Sequence, residues 1–223
     1  MIQLEVIENK IELIDYSDNA TLKELSDEVN FFRLTNDLKT RDCKGCGECC
    51  NQPIPVLGLD LVNIQKATSL SFEEVLDKYV ILPEKPNLEE RRKGIRDFVE
   101  NFGLNEVNAA ILYEYNQCEP LILPRREDGT CVYLDKSTGL CGIFTYRPFT
   151  GGLYLCNMGN ELSAIQEMVV RFGTWHAYSM LGWISKEEIS YNPFLRADSY
   201  DKIYVKDFYF NPEDVLEKLF FYF

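Results

Sequence analysis

Residues 43 to 50 read CKGCGECC, which places four cysteines, Cys43, Cys46, Cys49 and Cys50, in eight positions. Packing alone gives no reason for that spacing. Thiols repeated every third residue, on backbone loosened by Gly45 and Gly47, can curl around one point. Thiolates are the preferred ligands of soft metal ions and of iron–sulfur clusters. The rest of the chain must therefore fold so that this loop closes on a centre. Cys49 and Cys50 are adjacent, so their side chains leave the backbone in different directions. One is expected to join the loop's site, and the other a second site or the core.

The chain has 223 residues, of which 46% are hydrophobic, enough for a core that does not depend on metal. A single domain over 1–223 is expected, with a cysteine core at about 43–156. The net charge of −13 argues against nucleic acid as a partner, since phosphate binding needs a basic footprint. Two basic runs, Arg91-Arg92-Lys93 and Arg125-Arg126, sit among acids and read as solvated surface. The amino-terminal stretch MIQLEVIENKIELIDY lacks the basic and apolar regions of a signal peptide. No apolar run reaches the ~18 residues of a membrane span. The expected compartment is the cytoplasm. There thiols stay reduced, and clustered cysteines point to metal ligation rather than disulfides.

Periodicity predicts a mainly α chain with a small β-hairpin element, an α+β domain stapled by metal. Ile2-Leu4-Val6 and Ile11-Leu13 alternate as a small edge hairpin would. Thr21 and Glu24 form a capping box ahead of a helix running to about Leu38. Further helices are expected over 60–68, behind the Ser71/Glu74 capping box, over 88–102 with Gly103 as the stop, and over 105–115. Another runs from about Glu161 to Phe172 and on towards Leu181. Asn211 and Pro212 open a last one. Its end, LFFYF, reads either as a buried helix end or as a docking surface for a protein partner or a second copy.

From about Pro120 the pattern becomes β-like. Lys136-Ser137-Thr138-Gly139 is a turn between two β-prone runs, CVYL and CGIFTY. Cys131 and Cys141 flank it at an even separation, so simple pairing would set them face to face. Cys156 follows the Gly151-Gly152 break, and Cys118 precedes the hairpin. An isolated cysteine such as Cys118 reads first as a small buried hydrophobe.

CKGCGECC, followed by GLDLVNIQKATSLSFEEVLDKYV and then by CVYLDKSTGLCGIFTYRP, resembles the YkgJ-like cysteine-cluster family with the CxxCxxCC signature. Its members are labelled zinc- or iron-chelating domains. The resemblance covers about Cys43 to Cys156 and implies metal-binding roles for Cys43, Cys46, Cys49, Cys50, Cys131 and Cys141. Family members carry a further cysteine a few residues after the Arg-Pro pair. Here that stretch is Phe149-Thr150-Gly151-Gly152, and either Cys156 substitutes from a shifted position or the ligand set is one smaller.

Zinc sites usually pair two distant CxxC knuckles or include histidine. The single histidine, His176, falls in a predicted helix and reads as structural. A compact C-x2-C-x2-C run with a distant fourth cysteine is closer to cluster spacing, so a [4Fe–4S]-type centre is favoured over zinc. Three functions follow: an iron–sulfur protein in electron transfer or serving a partner enzyme; a structural zinc module; and, because the resemblance extends to the cysteine-rich region of flagellin lysine N-methylases, a methyltransferase-related enzyme. No phosphate loop, nucleophile elbow or dinucleotide fingerprint marks an enzyme. The paired acids Glu73-Glu74, Glu89-Glu90 and Glu187-Glu188 fall at predicted helix starts or faces, where they solvate the surface or complement the dipole.

Overall fold

The computed structural model describes residues 1–36, 49–153 and 158–208, with backbone only at Arg33, Leu34, Cys49 and Leu153. The chain opens with an antiparallel hairpin, β1 (Ile2–Ile7) and β2 (Lys10–Tyr16). Glu8 and Asn9 make its two-residue turn, both at positive φ, as the twist of a tight hairpin requires. A bulge between Gln3 and Leu4 shifts the register. Leu4, Ile11 and Leu13 turn inward.

Helix α1 (Leu22–Thr35) starts at the expected capping box, with Thr21 Oγ1 accepting from Glu24 N–H and the Glu24 carboxylate accepting from Thr21 N–H. Asn36 caps its end, and Leu38 lies outside the described residues. Helices α2 (Gly58–Thr68), α3 (Phe72–Tyr79), α4 (Leu88–Phe102) and α5 (Glu106–Gln117) follow. Ser71 and Glu74 form the second expected capping box, and Gly103 ends α4 in the left-handed conformation at φ 64°. After an irregular stretch come a short α6 (Phe149–Leu153) and the long α7 (Asn160–Met180). Beyond α7 the described chain runs through four 3-10 turns between Glu187 and Phe208. The expected helix from Asn211 and the LFFYF end lie outside the described residues.

Helices α2 and α7 stand between two apolar clusters. Leu57, Leu59, Leu162, Ile165, Val169 and Phe172 join the hairpin and α1 in the first. Leu61, Ile64, Trp175, Ala177 and Tyr178 belong to the second, which also contains Cys50, Cys118 and Cys131. The two helices approach closely because each contributes a glycine. A Cβ on Gly58 would lie 2.3 Å from His176 Nδ1, and one on Gly173 would lie 2.9 Å from the Leu57 side chain. The α4–α5 pair has a small core of its own, centred on Leu104, Ala109 and Leu112. This is the α+β architecture the periodicity predicts. Among the described residues, no helix is long and apolar enough to cross a membrane.

Candidate metal centre

Cys49 to Asn51 form a 3-10 turn that leads out of the cysteine loop. Pro53 and Pro55 then keep the chain extended, and it runs beside residues 121–123. Val56 N–H donates to Leu121 O at 2.7 Å and Leu123 N–H to Ile54 O at 3.0 Å. Ile81 and Ile122 exchange hydrogen bonds on the other side of that segment. The result is a short three-segment patch buried against the second apolar cluster. It carries the first cysteine group to the second: Cys131 N–H donates to Cys50 O at 2.8 Å.

The hairpin expected at CVYL and CGIFTY is a pair of tight turns instead. Leu134 N–H donates to Cys131 O and Phe144 N–H to Cys141 O, each at 3.2 Å, so each cysteine opens its own turn. Cys131 bridges Arg125, and Cys141 bridges Leu134. The two cysteines are therefore not opposite each other, contrary to the register that simple pairing predicts. Asp135 explains the difference. Its Oδ1 accepts from Ser137 N–H and Oγ at 2.8 and 2.7 Å, and its backbone O from Gly139 N–H at 2.7 Å, with Gly139 at φ 70°. That Asx turn tightens the connection and pairs Asp135 with Leu140.

Cys131 is 4% and Cys50 9% exposed, while Cys141 is half-buried. Three tyrosines gather beside them. Tyr79 stacks on Tyr133 at 5.2 Å between centroids and meets Tyr146 edge-on at 6.2 Å, and Tyr133 Oη donates to Lys78 O. Burial pushes the Tyr133 phenol far above its usual range. The described donors are thus three thiols in one apolar and aromatic setting. That chemistry suits zinc or an iron–sulfur centre and not a hard cation such as Ca²⁺ or Mg²⁺. Among the described residues, no three metal-binding side chains are close enough to hold an ion. Cys43, Cys46 and Cys156 lie outside the described residues, and Cys49 is described by backbone alone.

The model of the family described as "CxxCxxCC: Putative zinc- or iron-chelating domain" matches residues 42–168, more than half of the chain. The chain belongs to the CxxCxxCC family. No curated protein and no solved structure matches it. The matched span contains all eight cysteines of this CxxCxxCC protein, both cysteine-led turns and the Arg147-Pro148 pair.

Two thiol-or-imidazole candidates stand apart from the turns. Cys118 ends α5 beneath α7, where Arg171 Nη1 donates to its carbonyl at 2.9 Å. Burial pushes its thiol up to about 11, more than nearby Thr174 and Arg171 pull it down, so it is protonated at neutral pH. Its burial, at 7% exposure, is that of a cysteine packed in the core. His176 is stacked against Phe194 at 5.8 Å and wedged on Gly58. Burial, with a lesser contribution from Lys186, lowers its pKa to about 4, and its Nδ1 has no hydrogen-bond partner. It is a neutral core residue of this CxxCxxCC protein.

The solvated reading of the basic runs needs correction at Arg91, Arg125 and Arg126, whereas Arg92 and Lys93 are exposed as expected. Arg91 is 3% exposed and paired with Glu114 from α5, whose Oε1 also accepts from Tyr191 Oη at 2.6 Å. Burial pushes Glu114 up to about 6 against the pull of these partners. Arg92 reaches Glu188 at 2.9 Å across the same junction. Arg125 and Arg126 are half-buried and point their guanidinium groups at the backbone of the cysteine turns. The acid pairs stand where expected: Glu74 caps α3, and Asn87 Oδ1 accepts from the N–H groups of Glu89 and Glu90.

One positioning residue carries no sequence signal of this role. Asp60, in the first turn of α2, is wholly buried. Its Oδ2 accepts from Leu57 N–H at 2.8 Å, and its Oδ1 from Phe149 N–H at 2.9 Å and Tyr200 Oη at 2.7 Å. It thereby ties α2 to the segment after Arg147-Pro148. Thr150 Oγ1, donating to Pro55 O at 2.8 Å, adds a second tie to the strand leaving the cysteine loop.

Proposed function

We propose that this CxxCxxCC protein carries a thiolate-ligated [4Fe–4S]-type cluster and works in electron transfer or as the cluster-dependent partner of another enzyme. The ligands come from Cys43, Cys46, Cys49 and Cys50 in the loop and from Cys131 and Cys141 in the paired turns, with Cys156 as a further donor. The observation that carries the reading is the Cys131 N–H to Cys50 O bond, which joins two cysteine groups 81 residues apart. Low polarity around Cys50 and Cys131 also suits a cluster, whose potential depends on burial and on hydrogen bonds to sulfur.

A structural zinc site is the second reading. The turns opened by Cys131 and Cys141 favour it, because tight turns headed by a ligand suit a tetrahedral four-thiolate site. Substitution tests both. Cys131→Ser and Cys141→Ser in anaerobically prepared protein are expected to lose bound metal together with any sulfide. Retention of wild-type metal by both variants would remove the second cysteine group from the centre.

A further inference from the structure

The arginine pair at 125–126 forms a backbone clamp at the point where the two cysteine groups meet. Arg126 Nη1 donates to Cys131 O at 2.8 Å and to Thr130 Oγ1 at 3.3 Å, and its Nη2 to Val132 O at 2.7 Å and Leu134 O at 2.9 Å. One guanidinium thus gathers three carbonyls of the first cysteine-led turn. Arg125 takes Gly129 O with Nε at 2.6 Å and reaches Asn51 O with Nη2 at 2.9 Å, spanning from the second cysteine group to the turn that contains Cys50. The backbone N–H of Arg126 closes the loop on Thr130 O at 2.7 Å. A planar fork with five fixed donors suits this task, and a lysine does not supply the same geometry.

We propose that Arg126, with Arg125, is the positioning group that holds the cysteine-bearing turns in register before metal arrives. The inference rests on the reading of these turns as ligand-bearing. Irregular turns close few hydrogen bonds of their own and cost conformational entropy to order. A clamp built from side-chain to backbone hydrogen bonds, with no metal among its partners, moves that cost out of the binding step. The guanidinium charge also stands beside a site that accumulates thiolate charge, which favours the loaded state.

The test compares wild type with Arg126→Gln, Arg126→Lys and Arg125→Gln, all metal-free and anaerobic. Amide exchange is read at Cys131, Val132, Leu134, Asp135 and Gly142, whose N–H groups are all bonded within or beside the turns. In Arg126→Gln these amides are expected to exchange about tenfold faster or more, while α2 and α7 keep wild-type protection. Arg126→Lys keeps the charge but loses the fork, and its exchange is expected to stay close to that of the Gln variant. Cobalt(II) alone is then titrated, and its apparent affinity is expected to fall about 10- to 100-fold in Arg126→Gln. If Arg126→Gln does not fold, Arg125→Gln decides, with the same loosening and weakening expected on loss of the Asn51 tie. Unchanged exchange in the turns overturns the proposal whatever the metal result. Faster exchange with unchanged cobalt affinity reduces Arg126 to a structural residue and overturns it too. A wild-type protein that takes up neither cobalt(II) nor ferrous ion with sulfide defeats the metal reading itself, and the exchange data still decide whether the clamp orders the turns.

Discussion

Asp60 sets three hydrogen bonds against complete burial, and the balance between them is measurable. Burial pushes its pKa up from the usual aspartate value of 3.8 to about 6, although the bonds from Leu57, Tyr200 and Phe149 all favour the charged form. The difference between the folded and unfolded values is worth about 3 kcal/mol. Folding raises this pKa, so between about pH 4 and 6 the folded chain holds a proton that the unfolded chain has released. Stability from this group is therefore full below about pH 4 and is lost as pH rises through about 6. Asp60→Asn keeps the shape and cannot ionise. It leaves one amide N–H facing another near Leu57, a defect costing about 1–3 kcal/mol at every pH. Urea unfolding of both metal-free proteins at pH 4, 5, 6 and 7.5, followed by the fluorescence of buried Trp175, gives the difference curve. It is expected to move by about 2–3 kcal/mol in favour of Asp60→Asn between pH 4 and 7.5. A flat curve, or one moving towards wild type with rising pH, means that the three bonds outweigh burial and refutes the reasoning.

Three further outcomes follow from the packing. Arg91→Met strands a buried Glu114 carboxylate and is expected to cost about 3–5 kcal/mol in chemical unfolding, with the double change Arg91→Met/Glu114→Leu recovering most of it. Gly58→Ala drives a methyl into the rigid imidazole of His176 and is expected to cost about 1–3 kcal/mol, lowering the thermal midpoint. Cys118→Ala is expected to leave metal content unchanged, because that residue closes α5 against Thr174 and Arg171 of α7, and metal loss in this variant would place Cys118 in the centre.

Local chemistry made much of the fold legible. Thr21 with Glu24 and Ser71 with Glu74 announce α1 and α3 because a capping box is complete within four residues. Gly103 announces the end of α4 by its left-handed conformation. What the sequence hid depends on distant partners. Arg91 reads as solvated until Glu114 is found 23 residues away, and Asp60 reads as an ordinary first-turn acid until Phe149 and Tyr200 arrive from 89 and 140 residues on. Cys131 and Cys141 are legible as a pair, but not their register. The Asp135 turn replaces strand pairing with two successive turns, and β propensity in CVYL does not report that. Arg125 and Arg126 were hidden for a related reason, since their partners are backbone carbonyls that carry no residue identity.

The central claim is that the two cysteine groups share a thiolate metal centre. Iron, zinc and acid-labile sulfide content, with a visible spectrum, on anaerobically purified protein tests it most directly. A brown protein is expected, with iron and sulfide in about equal amounts, roughly four of each for a cubane cluster. Stoichiometric zinc without sulfide contradicts the cluster and leaves the structural zinc site. A colourless protein with neither metal contradicts the account as a whole.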